Sequence, residues 1–241
     1  MHLIHRGIVN KRFKENLLNS FQQSFKKGYG IETDIHATKD NEFICFHDFT
    51  LKRIFKKNLS VKNLDYSKIN EISTKLGKPV PLLKDLLKSS KNKHPLFIEI
   101  KPLFSKLLLK KLIAETSKFT KCVFISFKHK NIFKLLSIKA NTKVGLSFHP
   151  PKSIKEIVKK SNDQKINCLI LDKSYFKNTK IQKLKIEKSN NNKINYLILD
   201  KTYLMNKKIQ KLKIKKYYYT IKTKSEFNKF KENNNLIFEN L

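Results

Sequence analysis

Short apolar runs alternate along this chain with segments whose apolar side chains recur at helical spacing. Leucines three and four residues apart across 106–116 predict a helix, and similar spacing predicts helices over 15–27, 130–138 and 154–160. Strand followed by helix, repeated in this way, indicates a parallel sheet covered by helices. Nine parallel strands are predicted, at 3–5, 31–36, 97–101, 123–127, 144–148, 167–171, 195–199, 217–221 and 236–238.

This alternation, in a chain of 241 residues, favours an α/β fold of the TIM-type (β/α)8 barrel class, as a single domain over 1–241. The segment 49–95 lacks this regular alternation of apolar runs, and it has two prolines near its middle. We interpret it as a short insertion after the second barrel strand that passes over one end of the fold.

A tandem repeat near the C-terminus complicates the strand count. Residues 165–188 recur at 193–216, and 18 of the 24 aligned positions are identical. Each copy contains one strand and one helix, so a duplicated βα unit explains the repeat better than a solenoid, which needs more copies. Because a barrel of eight strands cannot hold nine, we expect one copy to be extruded or distorted at the barrel wall.

The composition is strongly basic, with a formal net charge of +34. Such a charge normally suggests a polyanionic partner. However, only Arg6, Arg12 and Arg53 are arginines, and the lysines are spread along the whole chain. Proteins that read nucleic acids generally use arginine for bidentate contacts. The sequence therefore argues against a specific nucleic-acid partner, and the basic surface allows weak contact with an anionic membrane surface.

The cysteines and the apolar runs bear on the cellular compartment in which the protein is expected. Cys45, Cys122 and Cys168 are odd in number and lie in apolar runs, as small core residues do. Free thiols of this kind are typical of a reducing environment. No apolar run approaches the length of a membrane span, and no signal peptide precedes the first strand. We therefore expect a cytoplasmic protein without a transmembrane segment.

The strongest chemical signal is a pair of acids in the second predicted strand. Glu32 and Asp34 are two residues apart, so in a strand both carboxylates lie on the same face. A short turn leads into an apolar run that ends in His47-Asp48, and this predicts an antiparallel hairpin. Two neighbouring carboxylates repel each other unless a positive charge lies between them, and carboxylate oxygens suit a hard divalent cation. A half-buried strand with polar residues facing water is the alternative.

Six short motifs, taken in order, extend this signal across the first 130 residues. They are His5-Arg6-Gly7, Glu15-Asn16, Glu32-x-Asp34, His47-Asp48-x-Thr50-Leu51-x-Arg53, Glu99-Ile100-Lys101 and Ser126-Phe127. In order and spacing they resemble the glycerophosphodiester phosphodiesterase family. Later, Lys222 stands where the family strand usually has Asn, and the Thr-Asp pair of the last family strand is not kept.

The resemblance implies a TIM-type barrel and one divalent cation, Mg²⁺ or Ca²⁺. The implied site residues are His5 and His47 as the acid/base pair, Arg6 and Lys101 at the substrate phosphate, Glu15 and Asp48 in support, and Glu32, Asp34 and Glu99 at the metal. Glu15 is alternatively a solvated acid at the start of a helix. The implied substrate is a small glycerophosphodiester, hydrolysed to sn-glycerol 3-phosphate and an alcohol.

The residues themselves support the same chemistry. The carboxyl ends of parallel barrel strands share one mouth, and the titratable residues of these motifs lie at or near such ends. Three carboxylates there suit a hard cation, and two imidazoles can move the two protons that diester hydrolysis requires. Two alternatives stay open: hydrolysis of another lipid substrate, of the lysophospholipase D type, and a decayed relative that only binds anions or lipids. The sequence leaves the oligomeric state undetermined.

Overall fold

A closed ring of parallel strands forms the centre of the fold. The computed structural model describes residues 2–149, 153, 155–157, 159, 166–175, 196–211 and 214–239. The described strands are β1 (Leu3–His5), β2 (Gly30–Ala37), β3 (Phe43–Cys45), β4 (Leu96–Ile100), β5 (Cys122–Ser126), β6 (Val144–Phe148), β7 (Cys168–Leu171), β8 (Tyr196–Asp200), β9 (Lys215–Ile221) and β10 (Asn235–Phe238). All of them except β3 run parallel, and the barrel closes because β1 pairs with both β2 and β10.

Helices follow the strands of this barrel. In the described part of the chain they include α1 (Leu18–Lys26), α2 (Lys52–Phe55), α3 (Tyr66–Lys75), α4 (Leu83–Ser90), α5 (Lys106–Thr116), α6 (His129–Ile138), α7 (Lys207–Gln210) and α8 (Lys224–Phe230). Two of the helix starts are fixed by side-chain caps: Ser105 accepts a hydrogen bond from the Leu108 N–H, and Thr223 accepts one from the Glu226 N–H. The predicted TIM-type architecture is confirmed.

Both copies of the repeat are regular strands of the barrel wall, so the expectation that one copy is extruded or distorted was wrong. The first copy supplies β7 and the second supplies β8, and the two strands pair directly in register. β7 also pairs with β6, and β8 with β9. Both edges of each copy are therefore hydrogen-bonded within the wall, whereas an extruded copy would have lost these backbone partners.

Aromatic rings fill the interior of this nine-stranded barrel. Phe97, Tyr196 and Tyr217 form a triangle with ring centroids 5.7 to 6.2 Å apart. Tyr196 occupies the repeat position that holds the smaller Cys168 in the other copy. A ninth strand widens a barrel, and these large side chains occupy the added space.

The predicted hairpin and insertion are present beside the barrel mouth. β3 pairs antiparallel with the outer half of β2, with Ile35 opposite Cys45. The chain from α2 through α3 then forms a small apolar core of its own, centred on Phe46, Phe55 and Ile69. The helix α4 packs against α1 in the barrel's outer layer, so the excursion is shorter than 49–95.

Two predicted helices are not covered by the described residues. The helix predicted over 154–160 lies largely outside them, and the helix of the first repeat copy lies wholly outside them. Among the residues that are described, no helix combines the length and the apolar character needed to cross a membrane.

Candidate active site

Three carboxylates meet near the carboxyl ends of β2 and β4. Glu32 and Asp34 are alternate residues of β2, and both are buried on its inner face. Glu99 lies on β4 beside Asp34 in the register of the two strands. One carboxylate oxygen of each residue lies within 4.8 Å of the other two. The two strands therefore bring together the three acids that the sequence singled out.

Two cationic side chains lie against these acids. The Lys101 Nζ is 2.9 Å from Glu99 Oε1 and 3.3 Å from Asp34 Oδ1. The Arg6 Nε is 3.1 Å from Asp34 Oδ2. Burial lowers the pKa of Lys101, but the carboxylates of Asp34 and Glu99 outweigh this effect, and the net pKa is raised. Lys101 therefore keeps its proton and is a fixed positive charge in the site.

The acidic cluster has the properties of a cation site. Burial and the neighbouring charge of Asp34 raise the pKa of Glu32 to about 8 and also raise the pKa of Glu99. Glu32 Oε2 is buried and accepts no hydrogen bond from any described residue, and the ion pair of Asp34 Oδ2 with Arg6 Nε lacks the geometry of a hydrogen bond. A buried oxygen that accepts no hydrogen bond can bind another partner. A set of three carboxylates fits a hard divalent cation, so these residues suit the metal that the sequence predicts.

A tight turn after β1 aims Arg6 at this cluster. Arg6 and Gly7 both have positive φ, 58° and 79°. A Cβ atom on Gly7 would lie only 3.0 Å from the Ser20 Cβ, so glycine is required for the close approach of α1 as well as for the backbone angle. The Arg6 N–H donates to the Glu32 carbonyl at 2.7 Å, which fixes the turn to β2.

The first predicted imidazole lies beside the carboxylates. The His5 Nε2 is 3.8 Å from Glu32 Oε2, and the His5 Nδ1 is 2.9 Å from Glu239 Oε2. The hydrogen bond from His5 lowers the pKa of Glu239, so that carboxylate is ionised near neutral pH and can only accept. Nδ1 therefore carries a proton and Nε2 is the nitrogen directed at the acids. Lys222 extends the contact, with its Nζ 3.4 Å from Glu239 Oε1.

The second predicted imidazole is held by a chain of charged groups. The His47 Nδ1 lies 2.6 Å from Asp48 Oδ1, and the Arg53 Nε donates to Asp48 Oδ2 at 2.6 Å. The other end of the Arg53 guanidinium donates to Glu15, whose second oxygen is 3.6 Å from the Arg6 Nη1. Burial raises the pKa of Asp48, but the hydrogen bonds from Arg53 and His47 outweigh it and hold that pKa below its usual range. Alternating charges thus link His47 to Arg6.

The Glu15-Asn16 segment is anchored rather than solvated. Asn16 is buried, and its Oδ1 accepts a hydrogen bond from the Thr33 Oγ1 at 2.8 Å. Thr33 lies between the two acids of β2, so the anchor fixes Glu15 next to the cluster. The structure favours the supporting position of Glu15 over the alternative of a solvated helix-start acid.

His36, which is not part of the quoted motifs, also lies in the wall of the site. It is buried, and its Nε2 donates to the His47 carbonyl at 3.1 Å. Burial lowers the pKa of His36 to about 4, so the ring is neutral. His36 lies in β2 opposite Ile44 of β3, and the ring of Phe49 packs edge-to-face against it with the centroids 4.9 Å apart.

All nine predicted site residues fall in one connected set of contacts. Three further members were missed: His36, Arg53 as the link between Asp48 and Glu15, and Glu239. Arg53 ended a quoted motif, and Glu239 follows the last apolar run directly. Because Glu239 directly follows a strand that ends at the mouth, its position could have indicated that it belongs to the site.

Comparison with known proteins bears on the family and on the fold. The sequence model of the glycerophosphoryl diester phosphodiesterase family matches residues 5–235. A probable glycerophosphodiester phosphodiesterase 2 of Mycobacterium tuberculosis is 33% identical over 86 residues, which are 35% of this chain and 33% of that protein. The chain thus spans about a third of the length of curated relatives such as this one.

Solved structures support the fold. A glycerophosphodiester phosphodiesterase from Thermotoga maritima superimposes with a TM-score of 0.70 at 18% identity, covering 98% of this chain and 93% of that one. An Oleispira antarctica phosphodiesterase in complex with the product sn-glycerol-3-phosphate gives a TM-score of 0.71 at 14% identity, covering 98% and 91%. At such identities the likeness concerns the fold alone.

Proposed function

Since the chain belongs to the glycerophosphoryl diester phosphodiesterase family, we propose that it hydrolyses small glycerophosphodiesters to sn-glycerol 3-phosphate and an alcohol. The observation that carries this proposal is the convergence of Glu32, Asp34 and Glu99 with His5 at one end of the barrel. An oxygen-lined, negatively charged cluster beside fixed cations and an imidazole suits phosphodiester chemistry.

We assign the cation site to Glu32, Asp34 and Glu99, with Mg²⁺ or Ca²⁺ as the occupant. A divalent cation bound there supplies Lewis-acid stabilisation of the charge that develops on the phosphate oxygens. Arg6 and Lys101 lie against the same acids, so they add positive charge where the non-bridging oxygens of a diester enter. Their ion pairs with Asp34 hold both side chains in place before substrate binds.

The two imidazoles divide the proton transfers between them. One takes the proton of the attacking oxygen as its bond to phosphorus forms, and the other gives a proton to the alkoxide as the bond from phosphorus to the leaving oxygen breaks. General acid or base catalysis of this kind contributes about 10²–10⁴-fold. His5 presents Nε2 because Glu239 holds Nδ1, and His47 presents its free nitrogen because Asp48 holds Nδ1. Glu239 and Asp48 are therefore positioning residues.

We place this activity in glycerophospholipid turnover in the cytoplasm. The three cysteines are free and buried, and burial raises the pKa of the Cys122 thiol to about 12. Thiols of this kind are unreactive core side chains, as expected in a reducing compartment.

A coupled assay tests the function. The purified full chain is incubated with Mg²⁺ or Ca²⁺ and a panel of glycerophosphodiesters that differ in head group, and released sn-glycerol 3-phosphate is oxidised by its dehydrogenase to give a spectrophotometric signal. We expect release from at least one diester, and its loss when a chelator is added. Glu32→Gln should lower the rate by on the order of 10²–10³-fold or more.

Glu71→Gln is the matched control, because Glu71 is an exposed acid on α3 that pairs only with Lys68 and Lys75 among the described residues. It should keep the wild-type rate. A folded wild-type chain that releases no glycerol phosphate from the whole panel with either cation would contradict the proposed function and support a binding role without catalysis.

A further inference from the structure

Exposed apolar side chains are concentrated at the mouth of the barrel. Of the large apolar side chains exposed within the described part of the chain, Phe49, Leu103, Phe127 and Met205 lie in loops that follow strand ends, and Leu107 lies in the first turn of α5. The remaining two, Leu59 and Leu76, belong to the insertion beside the mouth. None of them lies in the loops at the opposite end of the barrel. Such an uneven distribution marks one face as an interaction surface.

The loops after β4 and β5 form the most continuous part of this face. Leu103 and Phe127, exposed by 53% and 39%, border one cavity of about 300 Å³ together with Lys128 and Lys130. We call Leu103, Lys106, Leu107, Phe127, Lys128 and Lys130 the rim patch. Leu103 follows the candidate phosphate-binding Lys101 by two residues. The patch is therefore next to the entrance of the site.

The charge of the rim patch is positive and uncompensated. Residues 101–114 and 116–155 contain no Asp or Glu. In the described part of the chain, Lys106, Lys128 and Lys130 have no acidic partner, whereas Lys201 on the other side of the mouth pairs with Glu226 at 2.6 Å. The rim patch thus combines unpaired lysines with exposed leucine and phenylalanine side chains. This combination is complementary to a surface with anionic groups on the outside and an apolar layer beneath them.

We propose that the rim patch docks the barrel mouth on an anionic lipid bilayer. Leu103, Leu107 and Phe127 enter the boundary between head groups and acyl chains, and the three lysines contact the anionic head groups. The site entrance then faces the layer in which phospholipids are deacylated. A nucleic acid fits less well, because three exposed apolar side chains gain nothing from a phosphate backbone. The docking surface goes beyond the proposed hydrolysis and does not depend on it.

Vesicle sedimentation tests the docking. Wild-type protein is mixed with vesicles of phosphatidylcholine alone, or of phosphatidylcholine with phosphatidylglycerol, at fixed ionic strength. We expect binding to the anionic vesicles only. The double variant Lys128→Gln/Lys130→Gln should partition about 30-fold more weakly, since each lysine near an anionic surface contributes about 1 kcal/mol. Leu103→Ser/Phe127→Ser should weaken partition at least about tenfold without any change in net charge.

A matched control separates docking from general basicity. Lys118→Gln/Lys139→Gln removes the same charge from exposed lysines at the opposite ends of α5 and α6, and it should bind anionic vesicles as the wild type does. Equal weakening by both lysine pairs, no effect of Leu103→Ser/Phe127→Ser, or binding of a single-stranded oligonucleotide in place of vesicles would overturn the proposal. Hydrolysis of a soluble diester should be unchanged in the leucine–phenylalanine variant, so a failure of docking and a failure of the proposed function give different results.

Discussion

The contact between Glu239 and His5 joins the two ends of the barrel sequence, and its removal gives a sharp prediction. Glu239 follows the last strand and His5 ends the first. The hydrogen bond of 2.9 Å therefore joins two residues that are 234 positions apart in the chain. We expect Glu239→Ala to lower kcat while KM changes little, because the variant leaves the ring of His5 free to turn away from Glu32.

The magnitude follows from the type of bond that is lost. A hydrogen bond to a charged group contributes about 1.5–3 kcal/mol, and both partners here are less than a quarter exposed, at 24% and 22% of their side-chain surface. At about 1.4 kcal/mol per factor of ten, kcat should fall by roughly 10- to 100-fold. Glu239→Gln keeps an acceptor for Nδ1 but not the charge, so it should recover most of this loss and remain about fivefold below the wild type.

Steady-state kinetics on a soluble glycerophosphodiester, together with thermal unfolding, provide the assay. Glu71→Ala is the control, because Glu71 is an exposed acid on α3 that pairs only with Lys68 and Lys75 among the described residues. The reasoning is refuted if Glu239→Ala keeps the wild-type kcat. It is also refuted if Glu71→Ala loses as much activity, or if Glu239→Gln is no better than Glu239→Ala.

Three other substitutions probe the barrel and the site. Phe97→Ala should lower the free energy of unfolding by about 3–5 kcal/mol, because it removes one of the three rings of the interior aromatic triangle, and denaturant unfolding that shows less than about 1 kcal/mol would count against that packing. Arg53→Lys should lower kcat about tenfold with little change in melting temperature, because an ammonium cannot bridge Asp48 and Glu15 as a guanidinium does; an unchanged kcat would remove the linkage from the account. Gly7→Ala should destabilise the fold by about 1–3 kcal/mol and reduce activity, and a variant as stable as the wild type would show that the turn does not need glycine.

Much of the site was predictable because its residues lie at or next to strand ends. The alternation of a strand places Glu32 and Asp34 on one face from spacing alone, and the shared mouth of a parallel barrel brings in Glu99 and Lys101. Glu239 was not predictable in the same way, since its contact depends on barrel closure across the whole chain. The alternation that pairs Glu32 with Asp34 also includes His36, but its burial depends on His47 and Phe49 in the chain after β3, which the spacing does not reveal.

The number of strands in the closed barrel could not be predicted from local sequence patterns either. The repeat shows two equivalent strands, but whether a barrel accepts both depends on interior volume and on the pairing of every neighbour. Here Phe97, Tyr196 and Tyr217, from three separate strands, fill the wider interior. These three side chains pack together only when the barrel is closed, so no single segment of the sequence predicts the contact.

Calorimetric titration of the cation-free protein tests the central claim most directly. We predict that one Mg²⁺ or Ca²⁺ binds per chain, that Asp34→Asn abolishes this binding while Glu71→Gln leaves it unchanged, and that diester hydrolysis by the wild type rises in proportion to the bound cation. A wild-type chain that binds no divalent cation, an Asp34→Asn variant that binds as tightly as the wild type, or full hydrolysis in the cation-free protein would contradict the account.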